Sequence, residues 1–465
     1  MSLRALMAMN PWWTTGVVSS GYPEYTVREE VRDVLAGMNS ARILSLVGPR
    51  RVGKTVMMMQ AIRKLLGDGV AAQRILFFSC DDQALFSTVS TIGDVFRLYE
   101  EQVLFETFAE LAERIYVFID EIHVMREWQL FLKNHVDRRE NVKFIVSGSS
   151  MTQLLHGSRE SLMGRVDDIH VLPLSFRQFV FFEHVLRPAE PLHTWLQEVP
   201  PYSLFADPAA YAADLMRKQV MLESVRLPIM KLYQTYLLVG GYPEYFEEVP
   251  LLFWQQRLLQ DIVTRGLFRD IVLQYTIRNP EKLERLLYFV AANAGHPHSW
   301  RTLGQTIELD SATVSQYVSY LNDASFLEVL ENYSENAGKS IRQNKKLYLG
   351  DNGVQNAFLL RRSISEGEAG TLVESDYCHA AETYAARTLS RLYYYRDDKG
   401  EVDFVLAGRE KPLPVEVKYQ RSLKDADFAS LRRFMERFGS KHGVLVSRED
   451  LMLENGIFVV PAWLV

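Results

Sequence analysis

The octapeptide GPRRVGKT at residues 48–55 constrains this 465-residue chain more than any other feature. It fits the pattern G-x-x-x-x-G-K-[ST], follows the β-rich apolar run RILSLV, and precedes the helical run VMMMQAIRKLL. In this context backbone N–H groups surround phosphate oxygens, Lys54 reaches the β and γ phosphates, and Thr55 binds Mg²⁺. The helix N-terminus adds a favourable dipole. The pattern predicts an ATP site formed by Gly48, Arg51, Gly53, Lys54 and Thr55.

A second motif supplies acidic partners for this loop. The run RIYVFIDEIH places Asp120 and Glu121 at the carboxyl end of an apolar strand, where open α/β sheets bind their ligands. We expect Asp120 to hold Mg²⁺ through Thr55 or a water molecule, and Glu121 to orient and activate the attacking water. Ser147 and Ser149 follow a further strand-like run and are candidates for a hydrogen bond to the γ phosphate or the water. These residues favour hydrolysis over binding alone.

Short apolar runs alternate with helical patterns over the first third of the chain. The runs lie at residues 42–48, 74–80, 114–122, 142–150 and 168–175. Continuous apolar strands separated by helices predict a parallel sheet covered on both faces. The expected fold class is α/β, and this part of the chain is expected to form an ASCE-type P-loop parallel sheet.

Composition excludes several classes of protein. The net charge is −6, so a nucleic-acid contact must come from a local basic patch. Two cysteines cannot form a disulfide framework and suit a reducing compartment. No apolar run approaches the roughly 18 residues of a membrane span. We expect a cytoplasmic protein that does not associate with a membrane.

Residues 299–350 are predicted to form two helices followed by a strand pair, and they resemble a winged helix. The second helix would enter the major groove through neutral side chains, for which the candidates are Thr313, Ser315 and Gln316. Lys345 and Lys346 belong to a local basic run in the hairpin and are candidates for phosphate contacts. The alternative is a structural or protein-binding winged helix.

Charged residues interrupt an apolar hairpin near the C-terminus. If Asp403 lies opposite Glu416, then Leu406 faces Leu413 and the loop shrinks to residues 409–410. Strand alternation then places Glu416 and Lys418 on one face, together with Asp403. Such carboxylates suit Mg²⁺, and the ammonium can position a water or stabilise the transition state. The alternative is an edge hairpin with a solvent-facing salt bridge.

The combination of short motifs resembles the AAA-like, STAND-related ATPases that carry a C-terminal domain of unknown function numbered 4143. The matching stretches are GPRRVGKT, FIDEIH, SGSS, LMGR with LPLSF, GGYPEY, and EVDFVL with PVEVK. This resemblance implies that Arg165 of LMGR lies near the nucleotide. The spacing of Asp403 and the triplet 416–418 also resembles the PD-(D/E)xK nucleases. That second resemblance implies a further glutamate from a preceding helix, for which Glu382 is the first choice and Glu374 the rival.

Together with these resemblances, the features predict that the P-loop sheet is followed by a helical and winged-helix domain and then by an α+β restriction-nuclease-like domain. The five segments are an N-terminal segment (1–35), a P-loop ATPase domain (36–180), a helical region with a Pro-rich insertion (181–298), a winged-helix-like domain (299–350) and a nuclease-like domain (351–465). The Pro-rich stretch around residues 187–210 is expected to form an irregular connection. The expected function is Mg²⁺-dependent ATP hydrolysis coupled to DNA binding and metal-dependent DNA cleavage. The alternative is an ATPase switch whose nuclease-like domain is inactive and binds nucleic acid or protein. A homo-oligomer or a protein partner is expected in either case. Small-molecule phosphoryl transfer is a weaker third hypothesis, because the sequence shows no second substrate motif.

Overall fold

The computed structural model of the chain describes residues 2–23, 28–87, 89–125, 127–148, 162, 164–200, 203–247, 249–272, 275, 277, 279–388, 390–408 and 410–465. The chain forms two compact units, an N-terminal unit (Met1–Leu172) and a C-terminal unit (Pro173–Val465). None of the helices in the described part of the chain combines the length and apolar character needed to cross a membrane.

The N-terminal unit contains a five-stranded parallel sheet in the order β2-β3-β4-β1-β5. Its strands are β1 (Ile43–Val47), β2 (Ile75–Ser79), β3 (Ile115–Asp120), β4 (Val142–Gly148) and β5 (Val166–His170). The surrounding helices are α1 (Ser2–Met9), α2 (Trp12–Thr15), α3 (Glu30–Gly37), α4 (Lys54–Gly67), α5 (Gln83–Phe86), α6 (Ile92–Tyr99) and α7 (Trp128–Asp137). The five residues of β1 are all buried, as expected of a strand covered on both faces. The predicted parallel α/β sheet is therefore confirmed.

The N-terminal segment belongs to this unit through specific hydrogen bonds. The indoles of Trp12 and Trp13 both donate to the carbonyl of Ile75, at 3.0 and 2.8 Å. The side chain of Asn10 accepts from the N–H of Phe77 and donates to its carbonyl, both at 2.7 Å. These bonds satisfy backbone groups of the edge strand β2, which would otherwise be unpaired on that side.

The C-terminal unit contains a nine-stranded mixed sheet in the order β13-β14-β12-β11-β10-β9-β7-β8-β6. Its strands are β6 (Pro297–His298), β7 (Leu327–Asn332), β8 (Lys345–Leu349), β9 (Arg391–Asp397), β10 (Gly400–Ala407), β11 (Leu413–Lys418), β12 (Gly443–Ser447), β13 (Met452–Glu454) and β14 (Ile457–Pro461). Strand β7 pairs in parallel with β9, so the β7–β8 hairpin is continuous with the C-terminal sheet.

Helices surround this sheet and form the region that precedes it. The first group is α8 (Phe176–Leu186), α9 (Glu190–Glu198), α10 (Ser203–Ala206), α11 (Pro208–Arg217), α12 (Gln219–Val239), α13 (Leu251–Arg257) and α14 (Pro280–Ala292). The second group is α15 (Trp300–Ile307), α16 (Ser311–Asp323), α17 (Ala337–Arg342), α18 (Asn352–Phe358), α19 (Glu366–Thr388) and α20 (Ala429–Phe438). One face of α16 is apolar and buried, formed by Val314, Tyr317, Val318 and Leu321, and Asp310 caps the helix by accepting from the N–H groups of Ala312 and Thr313.

Two expectations about local structure were wrong. The Pro-rich stretch around residues 187–210, expected to be irregular, forms helices, because Pro191 and Pro208 lie in the first turns of α9 and α11, where no intrahelical N–H bond is needed. The fifth strand lies at Val166–His170 rather than 168–175.

Candidate functional site

The loop at residues 48–55 has the backbone that a phosphate-binding loop requires. Gly53 has a φ of 102°, which favours glycine, and it immediately precedes α4. A Cβ atom on Gly48 would lie 1.9 Å from the carbonyl oxygen of Val171, so that position also requires glycine. Arg51 adopts a φ of 65° and its side chain is exposed. The loop therefore depends on two glycines for different steric reasons.

Lys54 and Thr55 occupy the first turn of α4, at the carboxyl edge of the sheet. The Lys54 ammonium donates to the carbonyls of Gly48 and Pro49, at 2.8 Å each. The Thr55 hydroxyl donates to Oδ2 of Asp120 at 2.7 Å. The phosphate-loop hydroxyl and the strand carboxylate predicted to share Mg²⁺ are thus in direct contact.

Ser147 of β4 connects that strand to the acidic pair, Asp120 and Glu121, at the end of β3. Its hydroxyl donates to Oδ1 of Asp120 and accepts from the N–H of Glu121 at 3.0 Å. Glu121 has a φ of 51°, and its carboxylate lies 3.3 Å from Nδ1 of His123 and 4.0 Å from the Arg50 guanidinium. Ser147 therefore fixes the backbone that presents both carboxylates, while Ser149 lies outside the described residues.

Two residues that precede the phosphate loop in the chain, Tyr22 and Arg28, lie near the candidate site, and the sequence motifs did not indicate them. The guanidinium of Arg28 donates to the carbonyls of Val52 and Leu172 and is almost fully buried. Burial, together with the charge of Asp120, raises the pKa of Tyr22. An arginine and a tyrosine so far from a motif give no periodic or spacing signal in a single sequence.

Arg165 does not lie at the nucleotide edge of its own unit. It immediately precedes β5, and its carbonyl accepts from the N–H of Ile43 at the start of β1. Because β1 and β5 are parallel, this is the amino edge of the sheet, opposite the phosphate loop. The guanidinium lies 2.6 Å from a carboxylate oxygen of Asp137. Within one copy of the chain, Arg165 therefore lies at the edge of the sheet opposite the phosphate loop, and a contact with nucleotide stays a prediction.

The register predicted for the C-terminal hairpin is confirmed where the strands pair. Phe404 lies opposite Val415, and Leu406 lies opposite Leu413. The loop is longer than the two residues expected, because pairing stops at Leu406 and Leu413. The pairing of β10 with β9 shifts between Val402 and Val405, which marks a β-bulge.

The bulge turns two consecutive side chains of β10 toward α19. Val402 and Val405 pack in the core beneath α20, whereas the ring of Phe404 contacts Tyr377 of α19. The carboxylate of Asp403 accepts from the N–H of Val417 at 2.9 Å, in place of a backbone carbonyl. A bulge commonly re-aims a side chain in this way, and here it points a carboxylate into a buried cluster.

Lys346 lies at the centre of this cluster. Its ammonium is 2.7 Å from Glu401 and 3.3 Å from each of Asp403 and Glu374, and its side chain is 1% exposed. Burial alone would lower the pKa of Lys346, but the three carboxylates outweigh it and raise that pKa. The hydroxyl of Tyr348 donates to Glu374. The structure thus brings together residues from β8, α19 and β10.

Glu416 and Lys418 extend the cluster along β11. Their charged groups lie 2.5 Å apart, as the alternation of the strand predicted. The second carboxylate oxygen of Glu416 is buried without a hydrogen-bond partner among the described residues. Burial, with the negative charge of Asp403 nearby, raises the pKa of Glu416 to about 8.

The glutamate that reaches Asp403 is Glu374, the rival of the first choice. Burial and the charge of Asp403 raise the pKa of Glu374 to about 7. Burial, with Glu328 nearby, raises the pKa of Glu382 to about 8. Glu328 in turn lies 3.6 Å from Nδ1 of His379. The two glutamates are eight positions apart on α19, roughly two helical turns, and the sequence alone gave no register for that helix.

The residues proposed to contact DNA divide into two groups. The lysines expected to contact phosphates are buried, since Lys345 pairs with Glu331 at 3.2 Å and Lys346 lies in the carboxylate cluster. That expectation is wrong, because both ammonium groups are buried and paired with carboxylates. On α16, Gln316 is exposed whereas Thr313 and Ser315 are half-buried.

The two sites differ in how well they fit a metal ion. At the phosphate loop, the hydroxyl of Thr55 and the carboxylate of Asp120 are oxygen donors of the kind Mg²⁺ prefers. In the C-terminal cluster the Lys346 ammonium already lies between the carboxylates. Across the part of the chain that the structure describes, no group of three or more His, Cys, Asp or Glu side chains is arranged to hold a metal. The C-terminal cluster therefore does not fit a metal ion with Lys346 in place.

Three family descriptions match successive parts of the chain. Residues 40–180 match an AAA domain, residues 230–365 match a domain of unknown function (DUF8612), and residues 370–465 match a domain of unknown function (DUF4143).

Relatives and solved structures with similarity to the chain cover much of its length. An uncharacterized protein of Methanocaldococcus jannaschii is 23% identical over 451 residues, which cover 94% of this chain and 87% of that protein. An uncharacterized protein of Haemophilus influenzae is 24% identical, with 80% and 81% covered. A Walker-type ATPase of Pyrococcus abyssi aligns with a TM-score of 0.42 at 15% identity, covering 72% of this chain and 96% of that chain.

Proposed function

We propose that the N-terminal unit, in which residues 40–180 match an AAA domain, binds and hydrolyses ATP with Mg²⁺. The C-terminal unit, in which residues 370–465 match the domain of unknown function 4143, is in this proposal a nuclease-like module that does not cleave DNA. The protein would then act as an ATP-dependent switch. The observation that carries the proposal is the convergence of Lys54, Thr55, Asp120 and Glu121 at one edge of the parallel sheet.

Each of these four residues has a chemical role in the proposed reaction. Lys54, which donates to carbonyls of its own loop, would donate instead to the β and γ phosphates, and Thr55 and Asp120 would hold Mg²⁺. When bound, the ion neutralises charge on the phosphates. Glu121 accepts the proton of the attacking water, and Arg50 and His123 position its carboxylate.

Phosphate release by the purified full chain tests this proposal. We expect steady turnover of ATP with Mg²⁺ and none when EDTA removes the ion. A folded chain that binds no ATP, or binds it without turnover in Mg²⁺, would overturn the hydrolase assignment.

The proposal that the C-terminal unit does not cut DNA is supported by the buried ammonium among its carboxylates. Metal-dependent phosphodiester cleavage needs a cation that holds both water and phosphate, with open coordination positions. Nicking of a supercoiled plasmid in Mg²⁺ or Mn²⁺ is the direct assay. We expect intact plasmid with the full chain, and nicking that disappears in Asp403→Ala would assign the nuclease instead.

DNA binding by α15 and α16 is a second candidate function. These helices and the β6–β8–β7 strands have the order of a winged helix, and Gln316 and Ser319 are exposed on α16. Introducing negative charge there, as Gln316→Glu with Ser319→Glu, should weaken a mobility shift of duplex DNA. Gln234→Glu on α12 is the control with one added charge elsewhere. An unchanged shift in the double variant would remove this face from DNA contact.

The proposal includes self-association of the full chain in response to ATP. Light scattering of the full chain with and without ATP tests whether the nucleotide changes the oligomeric state. A single mass under both conditions would leave a protein partner, rather than another copy, as the target of the switch.

A further inference from the structure

The strongest feature outside the ATP site is the buried ammonium of Lys346. Three carboxylates surround it, from Glu401 at 2.7 Å and from Asp403 and Glu374 at 3.3 Å each. An ammonium has three N–H donors, so each carboxylate can accept one of them. The aromatic ring of Tyr394 lies on a further side, with its centroid 5.6 Å from the ammonium nitrogen.

This arrangement has the form of a cation with a shell of oxygen ligands. Two of its carboxylates come from β10 and one from α19, whereas the ammonium comes from β8. A buried charge is tolerated only when partners and hydrogen bonds compensate it, and here the compensation comes from opposite charges on separate elements. The lysine and the carboxylates therefore depend on each other.

We propose that Lys346 takes the place of a divalent cation, so that the C-terminal acidic cluster is complete without metal and fastens the winged-helix strand β8 to the sheet. Asp403 and Glu374 each lie 3.3 Å from the ammonium, which occupies the position that a divalent ion would need between them. Removing only the ammonium should uncover a cation site. The inference deepens the proposal of a non-cleaving module and rests on it, but cation binding is measured separately from DNA cleavage and from ATP turnover.

The test is calorimetric titration of Mn²⁺ into the full chain carrying Asp120→Ala, which removes the metal ligand of the ATP site. This background should show no saturable binding. Addition of Lys346→Met, which keeps the length of the side chain and removes its charge, should create one binding site per chain. Further addition of Asp403→Asn should abolish that site.

Lys345→Met is the matched control, because Lys345 is also buried but lies near a single carboxylate, that of Glu331. It should create no Mn²⁺ site. Saturable binding in the Asp120→Ala background that Asp403→Asn removes would overturn the inference, because a metal would then bind despite Lys346. Absence of binding in folded Lys346→Met would overturn it as well.

If Lys346→Met does not fold, a second variant tests the same inference. Lys346→Gln keeps a hydrogen-bond donor and should also gain Mn²⁺ binding, measured as an upward shift of the thermal unfolding midpoint on addition of Mn²⁺. The Asp120→Ala background should show no such shift. A shift in that background that Asp403→Asn removes contradicts the inference, whether or not either Lys346 variant folds.

Discussion

The two acidic sites of this protein each combine carboxylates with a lysine, but the lysines have different partners. Lys54 donates to two loop carbonyls, and the nearby carboxylate of Asp120 accepts from hydroxyls of Thr55 and Ser147. Lys346 donates directly to carboxylates. A bond to a neutral carbonyl can be exchanged for one to a phosphate at small cost, whereas separating a buried ion pair costs several kcal/mol. The first site is suited to exchange ligands and the second to stay closed.

Removal of Lys54 should give the largest effect on chemistry. Lys54→Ala loses a cation at the transferring phosphoryl group, and such a cation is worth on the order of 10³-fold in rate. We expect ATP turnover to fall to background while circular dichroism is unchanged. Wild-type turnover in the folded variant would mean that the phosphate loop is not the hydrolytic site.

Removal of Lys346 should instead affect stability. Lys346→Met leaves three partly buried carboxylates without their cation, and breaking a buried ion pair costs about 3–5 kcal/mol. Hydrogen exchange of the β8 and β10 amides should accelerate strongly, whereas Lys54→Met should leave those amides protected. Equal protection in both variants would contradict the contrast between the two lysines.

Glu121→Gln separates binding from chemistry at the first site. The amide cannot accept the proton of the attacking water, and general-base contributions are typically about 10²–10⁴-fold. ATP should remain bound, as measured by retention of a fluorescent analogue, while turnover falls. Loss of nucleotide affinity would instead make Glu121 a binding or structural residue.

The buried carboxylates of the C-terminal unit should make its stability depend on pH. The pKa of Glu382 is raised to about 8 by burial and by Glu328, so the folded state holds a proton that the unfolded state releases near pH 4.5. Its contribution is present at low pH and is lost as pH rises toward 8, by at most about 1.4 kcal/mol per pH unit. Urea unfolding should show that Glu382→Gln is more stable than wild type at pH 9 and closer to it at pH 6.

Glu368→Gln is the control for that measurement. Hydrogen bonds from Ser365 lower the pKa of Glu368 to about 2, so its ionised form favours the folded state. This variant should not gain stability at pH 9. The same gain in both variants would mean that the effect comes from net charge rather than from the buried position of Glu382.

The smallest effect is expected at Arg165. Its guanidinium pairs with Asp137 at the edge of the sheet opposite the phosphate loop. Arg165→Ala should therefore keep ATP turnover when the protein is dilute. A large loss that grows with protein concentration would indicate that Arg165 reaches the nucleotide of another copy.

Local patterns in the sequence predicted the elements that carry the first site. The strands β1 to β4, the phosphate loop and the helix α4 follow from apolar runs and from glycine positions with clear steric reasons. The register of the C-terminal hairpin could also be predicted, because period-two alternation and a short loop leave few pairings. The prolines of α9 and α11 misled the prediction, since the same residue both starts and breaks helices.

The sequence by itself determined that an ATP-type phosphate loop with an acidic strand partner exists, because those residues are close together in the chain or end neighbouring strands. Only the tertiary structure decided which charges meet in the C-terminal unit. Lys346 is 57 positions from Asp403, and β8 and β10 are separated in the sheet by β7 and β9. The bulge at Asp403 and the rotation of α19 select Glu374 over Glu382. Such contacts depend on how strands and helices pack across long sequence separations, and the local periodicity of the sequence does not predict them.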